Sequence, residues 1–90
     1  MAGSCRSIAG GTLTLTATDY IVINTGTSAN WTLPSTNLVT GRMLIIVNHG
    51  TSGSITTSAY YTSNAGTVTT VLINASVQLV YDGTNWRKIN

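Results

Sequence analysis

The chain has 90 residues and a net charge of +2, and only 7% of its residues are charged, against about 25% in an average soluble domain. This length supports one small domain with a marginal core, and the sparse basic residues argue against a nucleic-acid partner. A hydrophobic content of 42% argues against a disordered chain. One cysteine, one histidine and two carboxylates exclude an internal disulfide and a structural zinc site, so oligomerisation is the expected source of extra stability.

The first eleven residues are small, polar and rich in glycine. They predict a flexible docking arm over 1–11, followed by a single β-domain over 12–90. The arm has no apolar stretch of signal-peptide length, and the longest apolar run, Met43 to Val47, is far below the roughly 20 residues that span a bilayer. The sequence therefore predicts a protein made in the cytoplasm with no membrane partner, in which Cys5 is an incidental thiol.

Short runs of alternating or β-branched residues predict strands along the rest of the chain. In order, the predicted strands are 12–17, 20–24, 31–33, 42–48, 54–58, 67–74, 76–81 and 86–89. No segment has sustained helical periodicity, so an all-β fold is expected. The strand around Met43 to Val47 is apolar at every position, which is typical of a strand covered on both faces.

Three stretches of the chain are nearly the same. Ile21-Val22-Ile23-Asn24 is followed by Thr-Gly-Thr-Ser, and 24 positions later Ile45-Ile46-Val47-Asn48 is followed by His-Gly-Thr-Ser. Val71-Leu72-Ile73-Asn74 is a degenerate third copy. A β-branched run that ends on Asn, with Gly two residues later, indicates a strand that enters a turn, so the chain is interpreted as a small repetitive β-module.

The clearest local signal is Tyr81-Asp82-Gly83-Thr84-Asn85-Trp86, with Asp-Gly at its tip. It predicts a closing hairpin over 76–90 in which Tyr81 and Trp86 pair across the ladder. The uncharged strands 43–47 and 71–73 would be prone to aggregation unless they are covered, which again favours an oligomer. The residues expected to pack in the core or between copies are Leu44, Ile45, Ile46, Val47, Leu72, Tyr81 and Trp86.

No constellation of residues indicates catalysis. The only carboxylates are Asp19 and Asp82, and Asp82 is interpreted as a turn former at the hairpin tip. The sequence has no Gly-x-Ser-x-Gly motif that would supply a nucleophilic serine for His49. His49 is therefore interpreted as a turn residue. The sequence therefore predicts no catalytic residue, no cofactor and no bound metal.

Aromatic residues are the candidates for a binding surface, because they can stack on sugar rings. Tyr60 and Tyr61 are adjacent in a strand and must point to opposite faces, so one of them is expected at the surface. Trp31 is a further candidate, although packing inside the core is the alternative. A row of threonines at Thr12, Thr14, Thr16 and Thr18 leaves an ice-binding surface as a weaker interpretation.

The order of these motifs resembles the β-rich terminal modules of bacteriophage fibre and virion-surface proteins. The resemblance runs from about Thr12 to Asn90 through Trp31-Thr32-Leu33-Pro34, then Gly41-Arg42 before an apolar strand that ends in Asn48-His49-Gly50, and finally Ser76-Val77-Gln78-Leu79-Val80-Tyr81 and the hairpin. It implies a homotrimer of packed β-sheets with a structural or adhesive role and no catalysis. The expected fold is a small antiparallel β-sandwich or β-prism, with a short triple β-helix left open.

The chain has no fibre shaft, heptad repeat or collagen-like stretch. This favours a virion protein that decorates or cements the particle surface in contact with other virion proteins of the capsid or tail fibre. The alternative is a receptor-binding tip that recognises host surface polysaccharide through Tyr60, Tyr61 or Trp31, and a weaker option is an adaptor inside the tail.

Overall fold

The computed structural model describes residues 4–90, and within them the chain forms β-strands and no helix. The strands are β1 (Ser4–Ile8), β2 (Gly11–Thr14), β3 (Asp19–Asn24), β4 (Ala29–Thr32), β5 (Met43–Asn48), β6 (Ile55–Tyr61), β7 (Thr67–Val71), β8 (Ser76–Tyr81) and β9 (Trp86–Lys88). The all-β prediction is confirmed for this part of the chain. All eight predicted strands begin within two residues of an observed strand, and the omission is β1.

All the strands belong to one strongly curled sheet, in the order β1-β3-β5-β8-β9-β6-β4-β2, with β7 paired to β6. The chain makes three successive circuits, here called rungs, formed by β1 with β2, β3 with β4, and β5 with β6. Each rung stacks on the one before it in the same direction, so β1-β3-β5 and β2-β4-β6 are two parallel stacks. The sheet curls so that both stacks face a common core.

The predicted antiparallel arrangement is wrong for these two stacks. The 24-residue repeat is one full circuit of the chain, and it places Ile21 beside Ile45 and Asn24 beside Asn48 in parallel register. A parallel pair needs such a long return connection, which each rung supplies. Antiparallel pairing is found where the chain reverses after the third rung, between β6 and β7, β5 and β8, and β8 and β9.

Most of the described part of the predicted flexible arm belongs to strands, with Ala9 and Gly10 between β1 and β2. Ser4–Ile8 forms β1, which pairs with β3 and brings Ile8 beside Asn24, while residues 1–3 lie outside the described residues. Arg6 also donates from Nη2 to Asp19 Oδ2 over 2.8 Å, and Asp19 is almost fully buried. Backbone pairing and this ion pair together fix the segment to the second rung.

The two Asn residues that end the repeats stack on each other inside the corner of the curled sheet. Asn24 and Asn48 are both fully buried, and Asn24 Nδ2 donates to Asn48 Oδ1 over 3.1 Å. Asn24 also accepts from the amides of Gly10 and Gly26 and donates to the carbonyl of Thr27. Its side chain thereby makes four hydrogen bonds, which is what an amide needs when water cannot reach it.

Asn48 is satisfied in the same way. Its Oδ1 accepts from the amide of Gly50, and its Nδ2 donates to the carbonyls of Gly53 and Val71. The last of these partners belongs to the third copy of the motif, so that copy ends the stack with a backbone carbonyl instead of adding another Asn. Asn74 has a left-handed backbone (φ 62°), and the chain reverses there into β8.

The glycines of the repeat are required by the stacking of the corners. A Cβ atom at Gly50 would lie 2.5 Å from the Gly26 carbonyl oxygen, and a Cβ at Gly26 would lie 2.5 Å from the Ala9 carbonyl carbon. Because those neighbours are backbone atoms, they cannot move aside without disturbing the rung below. The Asn-x-Gly pattern is therefore explained by one buried amide and one close backbone approach.

One continuous core lies inside the curled sheet. Its buried apolar residues are Leu15, Val22, Ala29, Trp31, Leu33, Leu44, Ile46, Ile55, Tyr60, Val71, Val77, Leu79 and Trp86. Leu44, Ile46 and Trp86 are among these residues, and Tyr81 packs against the core from its edge. Leu72 is 63% exposed, so it does not pack in the core of this chain, because it lies in the turn after β7.

The closing hairpin forms as predicted. Tyr81 lies directly opposite Trp86 in the β8–β9 pair, with ring centroids 5.5 Å apart and planes tilted by 57°. The Trp86 indole N–H donates to the carbonyl oxygen of Pro34 over 3.0 Å. This bond connects the hairpin to the connection that follows β4 and fixes the indole ring.

Candidate assembly surface

The central strand β5 is covered on one face only by this chain. Leu44, Ile46 and Asn48 point into the core and are fully buried. Met43, Ile45 and Val47 point to the outside and are half-buried. The prediction that this strand is covered on both faces therefore remains open for its outer side.

The outer side chains of β3 continue the same surface. On β8 only Val80 does so, because Gln78 beside Ile45 and Ser76 beside Val47 are polar and exposed. In the register of the sheet, Ile45 lies beside Ile21, Val47 beside Ile23, and Met43 beside Val80. We call this surface the apolar face, and it consists of Ile21, Ile23, Met43, Ile45, Val47 and Val80. All six side chains are half-buried and none is charged or polar, although soluble monomers seldom expose a large contiguous apolar patch.

The outer surface of the other parallel stack is polar. The outward residues of β2, β4 and β6 are Thr12, Thr14, Asn30, Thr32 and Thr56, and all are exposed. The two stacks have the same strand geometry, so the difference between their outer surfaces is due to side-chain chemistry alone. The weaker interpretation that Thr12, Thr14, Thr16 and Thr18 form one row does not fit the strands, since β2 ends at Thr14.

Polar residues border the apolar face on both sides. Arg87 lies beside Val80 in the sheet, and its guanidinium group lies 4.9 Å from the centre of the Tyr61 ring. On the opposite border, Cys5 lies beside Ile21 and is exposed. An apolar centre with a polar border is the usual arrangement of a protein–protein interface.

A second apolar surface lies where β7 separates from β8. It is a groove of about 310 Å³, lined by Tyr60, Val68, Val71, Leu72, Ala75 and Val77, with Lys88 at one end. Ile73, in the same turn as Leu72, is 39% exposed. The groove contains more exposed apolar side chains than the apolar face, but it is built around a turn instead of paired strands.

The predicted sugar-binding aromatics are not gathered at one surface. Trp31 is fully buried, and Tyr60 is 3% exposed with its hydroxyl donating to the carbonyl of Thr70. Burial also raises the pKa of the Tyr60 phenol. The predicted ligand contacts gain no support at these two residues, because Trp31 has no accessible surface and Tyr60, although it lines the groove beside β7, is almost fully buried. Tyr61 is half-buried and stacks with Arg87, as expected for the outward member of an adjacent pair.

The few titratable groups have separate structural roles. Asp19 accepts hydrogen bonds from Arg6 and from the amide of Thr16. Asp82 accepts from the amides of Thr84 and Asn85 at the hairpin tip, and His49 is exposed in the turn after β5. Across residues 4–90, no group of three or more metal-binding side chains comes together.

Acidification is expected to weaken the hairpin tip through Asp82. The amide of Asn85, the guanidinium of Arg87 and the amide of Thr84 favour its charged form and lower its pKa from 3.8 to about 2. Because the pKa of this carboxyl is lower in the folded chain than in the unfolded chain, its charged form stabilises the fold above the unfolded-state pKa. This stabilisation is lost as pH falls towards 2. The melting temperature of the wild-type protein should therefore exceed that of Asp82→Asn at pH 6, and the gap should shrink between pH 4 and pH 2.

Because the two proteins differ only at residue 82, the comparison isolates the contribution of that side chain. A melting-temperature gap that stays the same from pH 6 to pH 2 would contradict the role given to the Asp82 carboxylate.

No helix in the described part of the chain is long and apolar enough to cross a membrane. Comparison with known protein families, curated proteins and solved structures found no match to this chain. The apolar face is the surface that the sheet register and the side-chain chemistry together set apart. Sequence reasoning had selected Ile45 and Val47 from it but had missed Ile21 and Ile23, although the repeat carries the same signal at the matching positions.

Proposed function

We propose that this chain is a non-enzymatic structural protein of a bacteriophage virion, a homotrimeric β-module that decorates or cements the particle surface. The observation that carries the proposal is the apolar face, an uncharged sheet surface whose side chains this chain covers only in part. The occupant that we propose for it is the same face of further copies of the chain. The proposed number of three copies and the location on the virion are taken from the resemblance to phage virion modules.

The geometry supports self-association in two ways. The face is built from two adjacent parallel strands and one edge of β8, so three copies can place it around a shared axis as the inner wall of a β-prism. The opposite outer surface, with Thr12, Asn30 and Thr56, remains in water. Burying apolar area stabilises association by about 25 cal/mol per Å², and here no charge has to be desolvated at the centre.

The alternative function, a receptor-binding tip, loses support at the residues first assigned to it. Trp31 and Tyr60 are buried, and Tyr61 already contacts Arg87. No observation at these three side chains favours glycan recognition over the packing roles that they have.

Native mass spectrometry at micromolar concentration tests the assembly. We expect a species of three times the 9.4 kDa chain mass, and a stable monomer would contradict the proposal. The copy number of the chain in purified phage particles, measured by quantitative mass spectrometry, tests the role. Hundreds of copies per particle are expected for a decoration protein, whereas a handful would indicate a fibre or tail, and none would remove the virion assignment.

A further inference from the structure

Strand β2 is a free edge of the curled sheet. It pairs with β4 on one side, and no other strand in the described part of the chain pairs with it. The amides of Gly11 and Leu15 donate to backbone carbonyls of the β4 segment. Because hydrogen bonding alternates along a parallel strand, the N–H and C=O groups of Thr12 and Thr14 point away from β4, towards the open side.

The edge of β2 has none of the features that usually prevent strands from pairing. Charged side chains, proline and β-bulges are common protection at sheet edges. Strand β2 is Gly-Thr-Leu-Thr, and its register with β4 is continuous. Strands β1 and β7 also pair on one side only, but each has an irregular register, and β1 contains Arg6. Among these edges, β2 is therefore the one best suited to accept a further strand.

The core is less covered at β2 than in the next rungs of the stack. Leu13 points inward and is half-buried, whereas Trp31, beside it on β4, is fully buried. Thr57, beside Trp31 on β6, is also buried. A strand added next to β2 with an apolar side chain opposite Leu13 would cover the part of Leu13 that remains exposed, which favours association.

We propose that β2 pairs with β2 of a second copy of the chain, antiparallel and about a two-fold axis at Leu13. In this register Thr12 of each copy lies opposite the partner's Thr14. Each of these pairs exchanges both of its backbone hydrogen bonds, so every open N–H and C=O group of the two strands is satisfied. The two Leu13 side chains meet on the core side, and the threonines pair on the outer side.

A second copy has the side-chain pattern that this edge requires. The added strand needs an apolar residue towards the core, small polar residues towards water and no charge. Strand β2 itself has this alternation, and cross-strand Thr–Thr pairs are favourable in sheets. The contact uses no residue of the apolar face, so it goes beyond the proposed trimer and does not depend on it. One contact of this size is expected to be weak, with a dissociation constant on the order of 0.1–1 mM.

Cysteine cross-linking tests the proposed register. Opposite residues that are not hydrogen-bonded to each other have Cα atoms about 4.5 Å apart, a distance that a disulfide can span. In a Cys5→Ser background, Leu13→Cys should join two chains when oxidised glutathione accepts the two electrons, and a non-reducing denaturing gel measures the product. The control is Thr56→Cys, at an exposed position on the polar outer surface. At a protein concentration of about 0.5 mM, Leu13→Cys should cross-link at least about tenfold faster than the control, with or without Ile45→Lys.

A proline variant tests the backbone hydrogen bonds. The Thr14 N–H points to the open side, so Thr14→Pro removes a bond only from the proposed contact, whereas Thr14→Val keeps the N–H and the side-chain shape. Added to Leu13→Cys, Thr14→Pro should lower the cross-linking rate to that of the control, and Thr14→Val should leave it unchanged.

Circular dichroism reports whether the proline variant is folded, and the comparison of Leu13→Cys with Thr56→Cys decides the matter if it is not. The proposal is overturned if Leu13→Cys cross-links no faster than Thr56→Cys, or if a folded Thr14→Pro variant cross-links as fast as the Thr14→Val variant. Loss of the rate difference on adding Ile45→Lys would also overturn it, because the contact would then depend on the apolar face.

Discussion

Replacing Asn48 with alanine is expected to lower the free energy of unfolding by about 3–5 kcal/mol. The change leaves the Gly50 amide, one N–H of Asn24 and the carbonyls of Gly53 and Val71 without their partner. The bonds to Asn24 and Val71 are buried, and those to Gly50 and Gly53 are partly buried. Each buried group that loses its hydrogen bond costs about 1–3 kcal/mol. A domain of this length has a total stability of roughly 5–13 kcal/mol, so the variant should lose between about a quarter and nearly all of it.

Urea denaturation followed by circular dichroism measures this loss, with protein concentration held constant because association also contributes to stability. The matched control is Asn30→Ala, which removes the same side chain from strand β4, where it is exposed. That variant should stay within about 0.5 kcal/mol of the wild-type protein. Equal stability of the two variants would show that the stacked amides do not hold the rungs together.

The 24-residue repeat corresponds to the parallel stacking of the rungs. A repeat alone, however, does not determine whether its strands pair in parallel or antiparallel. A strand that ends on Asn and enters a turn has the same local pattern in a hairpin and in a rung. The third copy illustrates the ambiguity, because Val71–Asn74 resembles the first two copies and yet lies where the chain reverses. Its pairing is decided by distant contacts, among them the bond from Asn48 to the Val71 carbonyl, which no local signal encodes.

Strand β1 was not predicted because the glycine-rich composition of the first residues was given more weight than their alignment with the later repeat. The glycine-rich start indicated a flexible arm, whereas Ile8-Ala9-Gly10 aligns with Asn24-Thr25-Gly26 and places glycine at the same corner. The alignment is weak since Ile8 stands where the later rungs have Asn. The Gly10 amide then bonds to Asn24 Oδ1, so the first rung completes the stack without an Asn of its own.

The binding surface was harder to predict than the fold. Alternation shows that Tyr60 and Tyr61 point to opposite sides, but it does not tell which side is the core. The structure resolves this because Tyr60 reaches the Thr70 carbonyl inside the β6–β7 pair. In β5 every residue is apolar, so the inward set of Leu44 and Ile46 could not be separated from the outward set until the neighbouring strands were known.

Introducing a charge at the centre of the apolar face is expected to abolish self-association without unfolding the chain. Ile45 lies between Ile21 and Gln78 on the outer side of β5, where a lysine can extend into water in the single chain. In the assembly the same ammonium group would be buried without a partner, which costs several kcal/mol. Ile45→Lys should therefore weaken association by at least about 100-fold, as measured by analytical ultracentrifugation over a range of concentrations.

Thr56→Lys is the control, because it places the same side chain on the polar outer surface of the other stack. It should assemble like the wild-type protein, and the circular dichroism spectra of both variants should match the wild-type spectrum. Ile23→Lys, one position along the face on β3, repeats the test from an adjacent strand. Since the three proteins differ by one side chain each, assembly that persists in Ile45→Lys and Ile23→Lys would move the interface away from this face.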